Sequence, residues 1–218
     1  MADPMWDSYN EFLLHGEANR FAKMFARYEL FQKIMNLPGD IVEAGVFKGA
    51  GVLYWAKLVE IFNPQSTRRV IGFDTFQGYP ETNREYERDS GKKFEEDADY
   101  DPVSPDAIME IAASLNLSHR IELVKGDAAE SVLDYVNDNP GFRVALVNMD
   151  FDTYDPTAAC LQHLYPLVVP KGVVAFDNYA IRGWGESDAA DSFFRDKSVV
   201  LHSFSWANTP TAFFQKEA

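Results

Sequence analysis

Five short apolar runs in this chain each stop at an acidic residue or a Gly-Asp pair, and each is followed by a stretch with helical spacing. The runs are Asp40 to Glu43, Arg69 to Phe73 before Asp74, Arg120 to Val124 before Gly126-Asp127, Phe142 to Asn148 before Asp150, and Gly172 to Phe176 before Asp177-Asn178. Apolar runs this short, bounded by turn residues, read as buried strands. The intervening stretches predict helices over Gly51–Ile61, Pro105–Leu117, Ala128–Val136, Pro156–Tyr165 and Glu186–Phe194. Strands that alternate with helices pair in parallel through right-handed crossovers. Two closing runs, Val199–Trp206 and Thr211–Gln215, read as an antiparallel hairpin. The expected fold is therefore α/β: a Rossmann-like, seven-stranded, mostly parallel sheet with an antiparallel C-terminal hairpin and helices on both faces. Ligands of such sheets bind outside the carboxyl ends of the strands, where the acids of this chain lie.

At 218 residues the chain is long enough for one domain with a substantial core. Residues 1–39 form an N-terminal helical region, with a helix expected over Glu11–Met35 that Leu37-Pro38-Gly39 stops. The charge-rich segment 79–104 shows no period and reads as a lid loop. Lys and Arg number 20 against 34 Asp and Glu, a formal charge of −14. Such a surface repels nucleic acid and anionic membranes, so the expected partner is a small molecule. No apolar run is long enough to span a bilayer, the first ten residues do not resemble a secretory leader, and Cys160 is the only cysteine. A cytoplasmic location is the default expectation. Phe12, Phe21, Phe25 and Phe31 exceed what the N-terminal region of one small domain needs to bury, which predicts at least a dimer through that region.

Three constellations carry chemistry. Glu43-Ala44-Gly45 leaves the first strand toward Lys48-Gly49-Ala50-Gly51. It lacks the G-x-G-x-x-G of a dinucleotide site. An acid before the glycine suits a cation such as the amino end of S-adenosylmethionine; a tight strand–helix turn with a capping acid is the other reading. Asp74-Thr75-Phe76-Gln77-Gly78 follows the second strand, where a carboxylate can accept from both ribose hydroxyls. Gly126-Asp127 can reach an adenine, and Asp127 can equally cap the next helix. In the third constellation, Asp150 and Asp152 end the fourth strand while Asp177 and Asn178 end the fifth. Asp150, Asp177 and the Asn178 amide oxygen form a hard oxygen set, suited to magnesium, manganese or calcium rather than zinc. A metal there fixes an acceptor hydroxyl and eases its deprotonation, with Asp152 the candidate proton acceptor. Helix capping is the competing role for these acids. None of the four histidines is placed at this site by its pattern.

Taken together, Glu43 to Gly45, Asp74 to Gly78, Met149 to Tyr154, Leu164 to Pro166 and Gly172 to Tyr179 resemble the motifs of the macrocin O-methyltransferase (TylF-like) family, from about Asp40 onward. The resemblance implies a class I methyltransferase fold, S-adenosylmethionine, magnesium and a sugar hydroxyl as acceptor. It carries the metal ligands onto Asp150, Asp177 and Asn178. That family tends to have a second aspartate where this chain has Asn178. An Asp followed by Asp-Asn is the metal set of catechol and caffeoyl-coenzyme A O-methyltransferases, which place a lysine base just after the first aspartate. Phe151-Asp152-Thr153 holds no lysine, which favours a sugar-type acceptor over a catechol. A nicotinamide-dependent oxidoreductase and a non-catalytic S-adenosylmethionine-binding module are the alternatives. The missing glycine pattern opposes the first, and the intact acid set opposes the second.

Overall fold

The computed structural model describes residues 4–98 and 100–217. Six strands form one sheet: β1 (Asp40–Ala44), β2 (Val70–Asp74), β3 (Ile121–Lys125), β4 (Val144–Met149), β5 (Val168–Phe176) and β6 (Ala212–Gln215). Their order is β3-β2-β1-β4-β5-β6. All neighbours are parallel except β5 and β6. The chain leaves β1 toward one edge and returns to β4 on its other side, so the strand order reverses between β1 and β4. The carboxyl ends of those two strands flank the crevice.

Alternation along the strands assigns each side chain to a face. Ile41 points to an apolar layer with Leu30, Phe31, Trp55 and Ile108. Val42 and Ala44 point to the opposite layer with Phe73, Leu161 and Phe176. The first layer is closed by α2 (Ala18–Ile34), α3 (Ala50–Phe62) and α5 (Pro105–Ser114), the second by α6 (Ala128–Asp138), α7 (Tyr154–Leu164) and α8 (Glu186–Phe194). Among the described residues no helix is long and apolar enough to cross a membrane.

Three expectations are corrected. The sheet has six strands, not seven, because the run Val199–Trp206 meets β6 at one residue only. His202 and Phe213 exchange two backbone hydrogen bonds of 2.8 Å, and the chain then turns between Phe204 and Ala207. The N-terminal helix is two helices, α1 (Pro4–His15) and α2, broken at Gly16-Glu17 with Phe12 and Phe21 packed across the break at 4.6 Å. Segment 79–104 contains α4 (Glu85–Asp97). The buried positions of α4 are Glu87 and Gly91, an acid and a glycine, so it has no apolar stripe to betray its period.

One glycine fixes how the crevice closes. Gly45 has φ +107°, and a Cβ there would stand 2.1 Å from the Asp150 carbonyl oxygen. The end of β4 therefore lies directly against the β1–α3 turn, with Asp150 N–H donating to Ala44 O at 2.7 Å. Gly45→Ala is expected to cost about 1–3 kcal/mol from the backbone conformation alone, before any displacement of Asp150. Urea unfolding measures this; unchanged stability would show that the turn can back away from β4.

Candidate active site at the carboxyl ends of the central strands

On the β1–β2–β3 side, one carboxylate organises the backbone. Asp74 Oδ2 accepts from the Val46 and Phe47 amides at 2.7 and 2.9 Å, and Oδ1 accepts from the Phe76 amide at 2.8 Å. Thr75 Oγ1 accepts from Gln77 N–H at 3.1 Å and donates to the Gly78 carbonyl. Gly126 N–H reaches the Asp74 carbonyl at 2.9 Å. Gly45, Asp74, Thr75, Gln77, Gly78 and Gly126 thus share one rim. Asp127 lies at its outer end and caps α6 by accepting from Ala129 N–H at 2.9 Å, the second of the two roles open to it.

Glu43 departs from expectation. It is 1% exposed, and it accepts from Arg27 Nη2 at 2.9 Å, Trp55 Nε1 at 2.7 Å and Asn148 Nδ2 at 3.2 Å. Strand alternation puts its side chain on the Ile41 face, beneath α2 and α3, so it offers no open carboxylate to a ligand ammonium. Its Cβ neighbourhood explains Gly51 as well: any side chain there would meet Glu43 Oε1 at 1.9 Å.

On the β4–β5 side the expected acids come together. Asp177 Oδ2 lies 2.9 Å and Asp150 Oδ2 3.5 Å from the same Lys23 Nζ, and Arg27 Nη2 stands 3.4 Å from Asp150. Asp152, 9% exposed and at φ +66°, accepts from the Tyr79 hydroxyl and the Asn178 amide nitrogen. Its backbone carbonyl accepts from Gly185 N–H at 2.9 Å, at the start of α8. Burial, reinforced by the neighbouring Asp150 charge, pushes both the Asp152 and Asp177 carboxyls well above the usual carboxylate range. Glu186 is fully buried and pushed the same way by burial and by Asp152. It accepts from Asn178 N–H at 2.7 Å.

Helix capping does not occupy Asp150 or Asp177. The first amide of α7, at Tyr154, is taken instead by Glu87 Oε1 of α4 at 2.8 Å. Asp177 Oδ1 is buried with no hydrogen-bond partner, an expensive state for a carboxylate oxygen in a native protein. That orphaned oxygen belongs to a carboxylate that meets Asp150 at the same Lys23 ammonium, a hard oxygen setting that suits a divalent cation. Among the described residues no trio drawn from His, Cys, Asp and Glu is arranged to hold a metal, and the Asn178 amide turns its nitrogen to Asp152.

Sequence reasoning missed Lys23, Arg27, Tyr79 and Glu87. The two cations had a readable signal: Lys23 and Arg27 sit at i and i+4 on the inward stripe that continues through Leu30, Phe31 and Ile34. Tyr79 stacks on Trp184 at 5.5 Å while bonding Asp152, a pairing only the folded chain creates. The histidines lie elsewhere, His202 on the edge of β6 and His119 beside Glu60 at 3.6 Å.

The model of the family described as Macrocin-O-methyltransferase (TylF) matches residues 18–216. The chain is 27% identical over 150 residues to 8-demethyl-8-(2,3-dimethoxy-alpha-L-rhamnosyl)-tetracenomycin-C 4'-O-methyltransferase of Streptomyces olivaceus, covering 66% of this chain and 54% of that protein. The chain thus spans about half the length of the curated relatives it matches. The structure of CalS11, a calicheamicin methyltransferase, superposes with a TM-score of 0.79 at 25% identity, covering 99% of this chain and 86% of that one. More distantly, MycE, solved with Mg and SAH, shares the fold at a TM-score of 0.51 and 17% identity, covering 88% of this chain and 49% of that one.

The buried network makes one contrast measurable. Glu43→Ala leaves Arg27 inside the core with its main partner gone, which is expected to cost about 3–5 kcal/mol. Asp127→Ala removes only a cap and should cost about 1 kcal/mol. Equal shifts in the two denaturation midpoints would show that Arg27 finds another acceptor.

Proposed function

Because this chain belongs to the macrocin O-methyltransferase family, we propose that it is an S-adenosylmethionine-dependent O-methyltransferase. Its acceptor is a hydroxyl of a small molecule, a deoxysugar that is nucleotide-linked or carried on a natural product. The observation that carries this reading is that Asp150 lies against the Gly45 turn and shares the Lys23 ammonium with Asp177, while Asp152 is bonded to Asn178. There a methyl donor on the Gly45–Asp74 rim and a hydroxyl above the acids are neighbours.

Each residue has a role in this reading. The Gly45 turn and Asp74 shape the rim for the amino-acid and ribose parts of the donor, with Gly78 and Gly126 leaving room beside them. Glu43 serves this rim from below, by holding Arg27 and α2 in place. Asp150, Asp177 and Asn178 would hold magnesium or manganese, and a metal there would supply Lewis acidity to position the acceptor hydroxyl and lower its pKa. Asp152, held by Tyr79 and Asn178, receives the hydroxyl proton as the oxygen–methyl bond forms and the sulfur–methyl bond breaks. Alignment of donor and acceptor supplies much of the acceleration. The tetracenomycin relative is named for its action on a rhamnosyl compound, which supports a sugar acceptor here. A catechol-type acceptor is the second reading, and Lys23 supplies a local argument for it: it brings an amine to Asp150 and Asp177 from α2, where residues 151–153 have none.

Of the four phenylalanines behind the expected dimer, Phe31 is buried in the core and Phe12 packs on Phe21, while Phe25 is exposed beside Trp6, Tyr9, Leu13 and Leu14 of α1; a second copy packed over these exposed residues would make the protein at least a dimer. A cytoplasmic setting suits the buried free thiol of Cys160.

Incubation with S-adenosylmethionine, magnesium and a panel of deoxysugar nucleotides and glycosides should release S-adenosylhomocysteine, and chelator should abolish it. Turnover that ignores chelator would remove the metal from the reaction. Asp152→Asn should lower turnover by orders of magnitude with donor affinity retained; a fully active variant would free Asp152 from its role. In a melting experiment, magnesium at 100 times its Kd should stabilise the wild type by about 2.7 kcal/mol, and Asp177→Ala should lose that gain. Light scattering that finds a monomer at micromolar concentration would refute the dimer.

A further inference from the structure

The cation between the two metal acids is part of the chain. Lys23 Nζ approaches Asp177 Oδ2 at 2.9 Å and Asp150 Oδ2 at 3.5 Å, so a lysine ammonium stands where the oxygens of two different strands converge. The other cation of α2 has a different status. Arg27 pairs with Glu43 at 2.9 Å and donates to Asp150 at 3.4 Å, with its side chain only 7% exposed. Moving Arg27 away would strand a charge in the core and leave Glu43 without its strongest donor. The Lys23 side chain is 27% exposed and has a flexible four-carbon stem. It is the more exposed of the two cations and can turn away from the acids without leaving a second buried partner unpaired.

The charges at the site are unequal in number. With Arg27 committed to Glu43, one ammonium faces Asp150 and Asp177, with Asp152 behind them. Lys23 reaches one oxygen of each acid, Arg27 adds a second contact to Asp150, and Asp177 Oδ1 remains without a partner among the described residues. A divalent ion could meet that oxygen as well, but it cannot share the carboxylate oxygens with an ammonium at contact distance, because like charges at that spacing repel strongly.

We propose that Lys23 is an intrinsic counter-ion occupying the divalent-cation position of the metal-free protein. Magnesium binds by exchanging with its ammonium, while Arg27 keeps α2 seated. This inference rests on the metal reading above. It adds that loading is a cation exchange and that Lys23 sets the metal affinity. The metal-free site is then held shut by an ion pair rather than splayed by carboxylate repulsion.

The test reads binding and accessibility, not turnover. Titration calorimetry with magnesium and with manganese compares the wild type, Lys23→Met and Lys23→Arg. Lys23→Met should bind at least about tenfold tighter, and Lys23→Arg no tighter than wild type. In parallel, amine-directed acylation of wild-type protein, read by peptide mass spectrometry, follows Lys23 with Lys33 of the same helix as the reference. Lys23 should react slowly without metal and several-fold faster with saturating magnesium, while Lys33 is unchanged. The labelling arm needs no variant, so a poorly folded Lys23→Met does not remove the test. If magnesium binds the wild type and the Lys23 labelling rate does not change, or Lys23→Met binds no tighter, the exchange is overturned and the metal site stands. If neither protein binds either metal, the metal site itself falls, and the exchange with it.

Discussion

A buried guanidinium ties the site together. Arg27 is fixed to Glu43 at the end of β1 and reaches Asp150 at the end of β4, the two strands between which the chain order reverses. A charge taken so far out of water must be met by acids in defined positions, or it destabilises the fold. Glu43 meets it and is itself held by Trp55 of α3 and Asn148 of β4. One cation from α2 therefore sets the spacing between the rim that would receive a methyl donor and the acids that would receive a hydroxyl. This explains why α2, which carries no expected site residue, packs against the sheet with charged residues on its inward stripe.

Much of the frame was legible because strand ends in parallel sheets have little freedom. Each apolar run had to be buried on both faces, and its terminal acid had to lie outside the layers. Asp74, Asp150 and Asp177 follow from that rule. Glu43 does not, because it is still inside β1: its face follows from alternation with Ile41, but whether that face is roofed depends on where α2 docks. That docking is a long-range event with no local signature. The same limit hid Lys23, whose partners are 127 and 154 residues away in sequence.

Two of the misjudged elements failed for opposite reasons. Val199–Trp206 has the composition of a strand, and the fold has no ladder to give it beyond His202. Glu85–Asp97 has the composition of a solvated loop, yet it forms a helix whose inward face is polar. Glu87 is the clearest case: it is 2% exposed, it accepts from Thr82 at 2.6 Å and from the Tyr154 amide at 2.8 Å, and it serves a structural end that hydrophobic patterning cannot register.

The position of Glu87 also couples two elements, α4 and α7. Its carboxylate sits at the positive end of the α7 dipole, while Arg84 of the same segment pairs with Asp155 at 2.9 Å and lies over the Tyr154 ring at 3.9 Å. If the α4 segment lifted, the first turn of α7 would lose the Glu87 carboxylate that accepts from the Tyr154 amide. That turn follows directly from Asp152 and Thr153, so the position of Asp152 would depend on whether the α4 segment is seated. Seating that segment and readying that acid would then be one event.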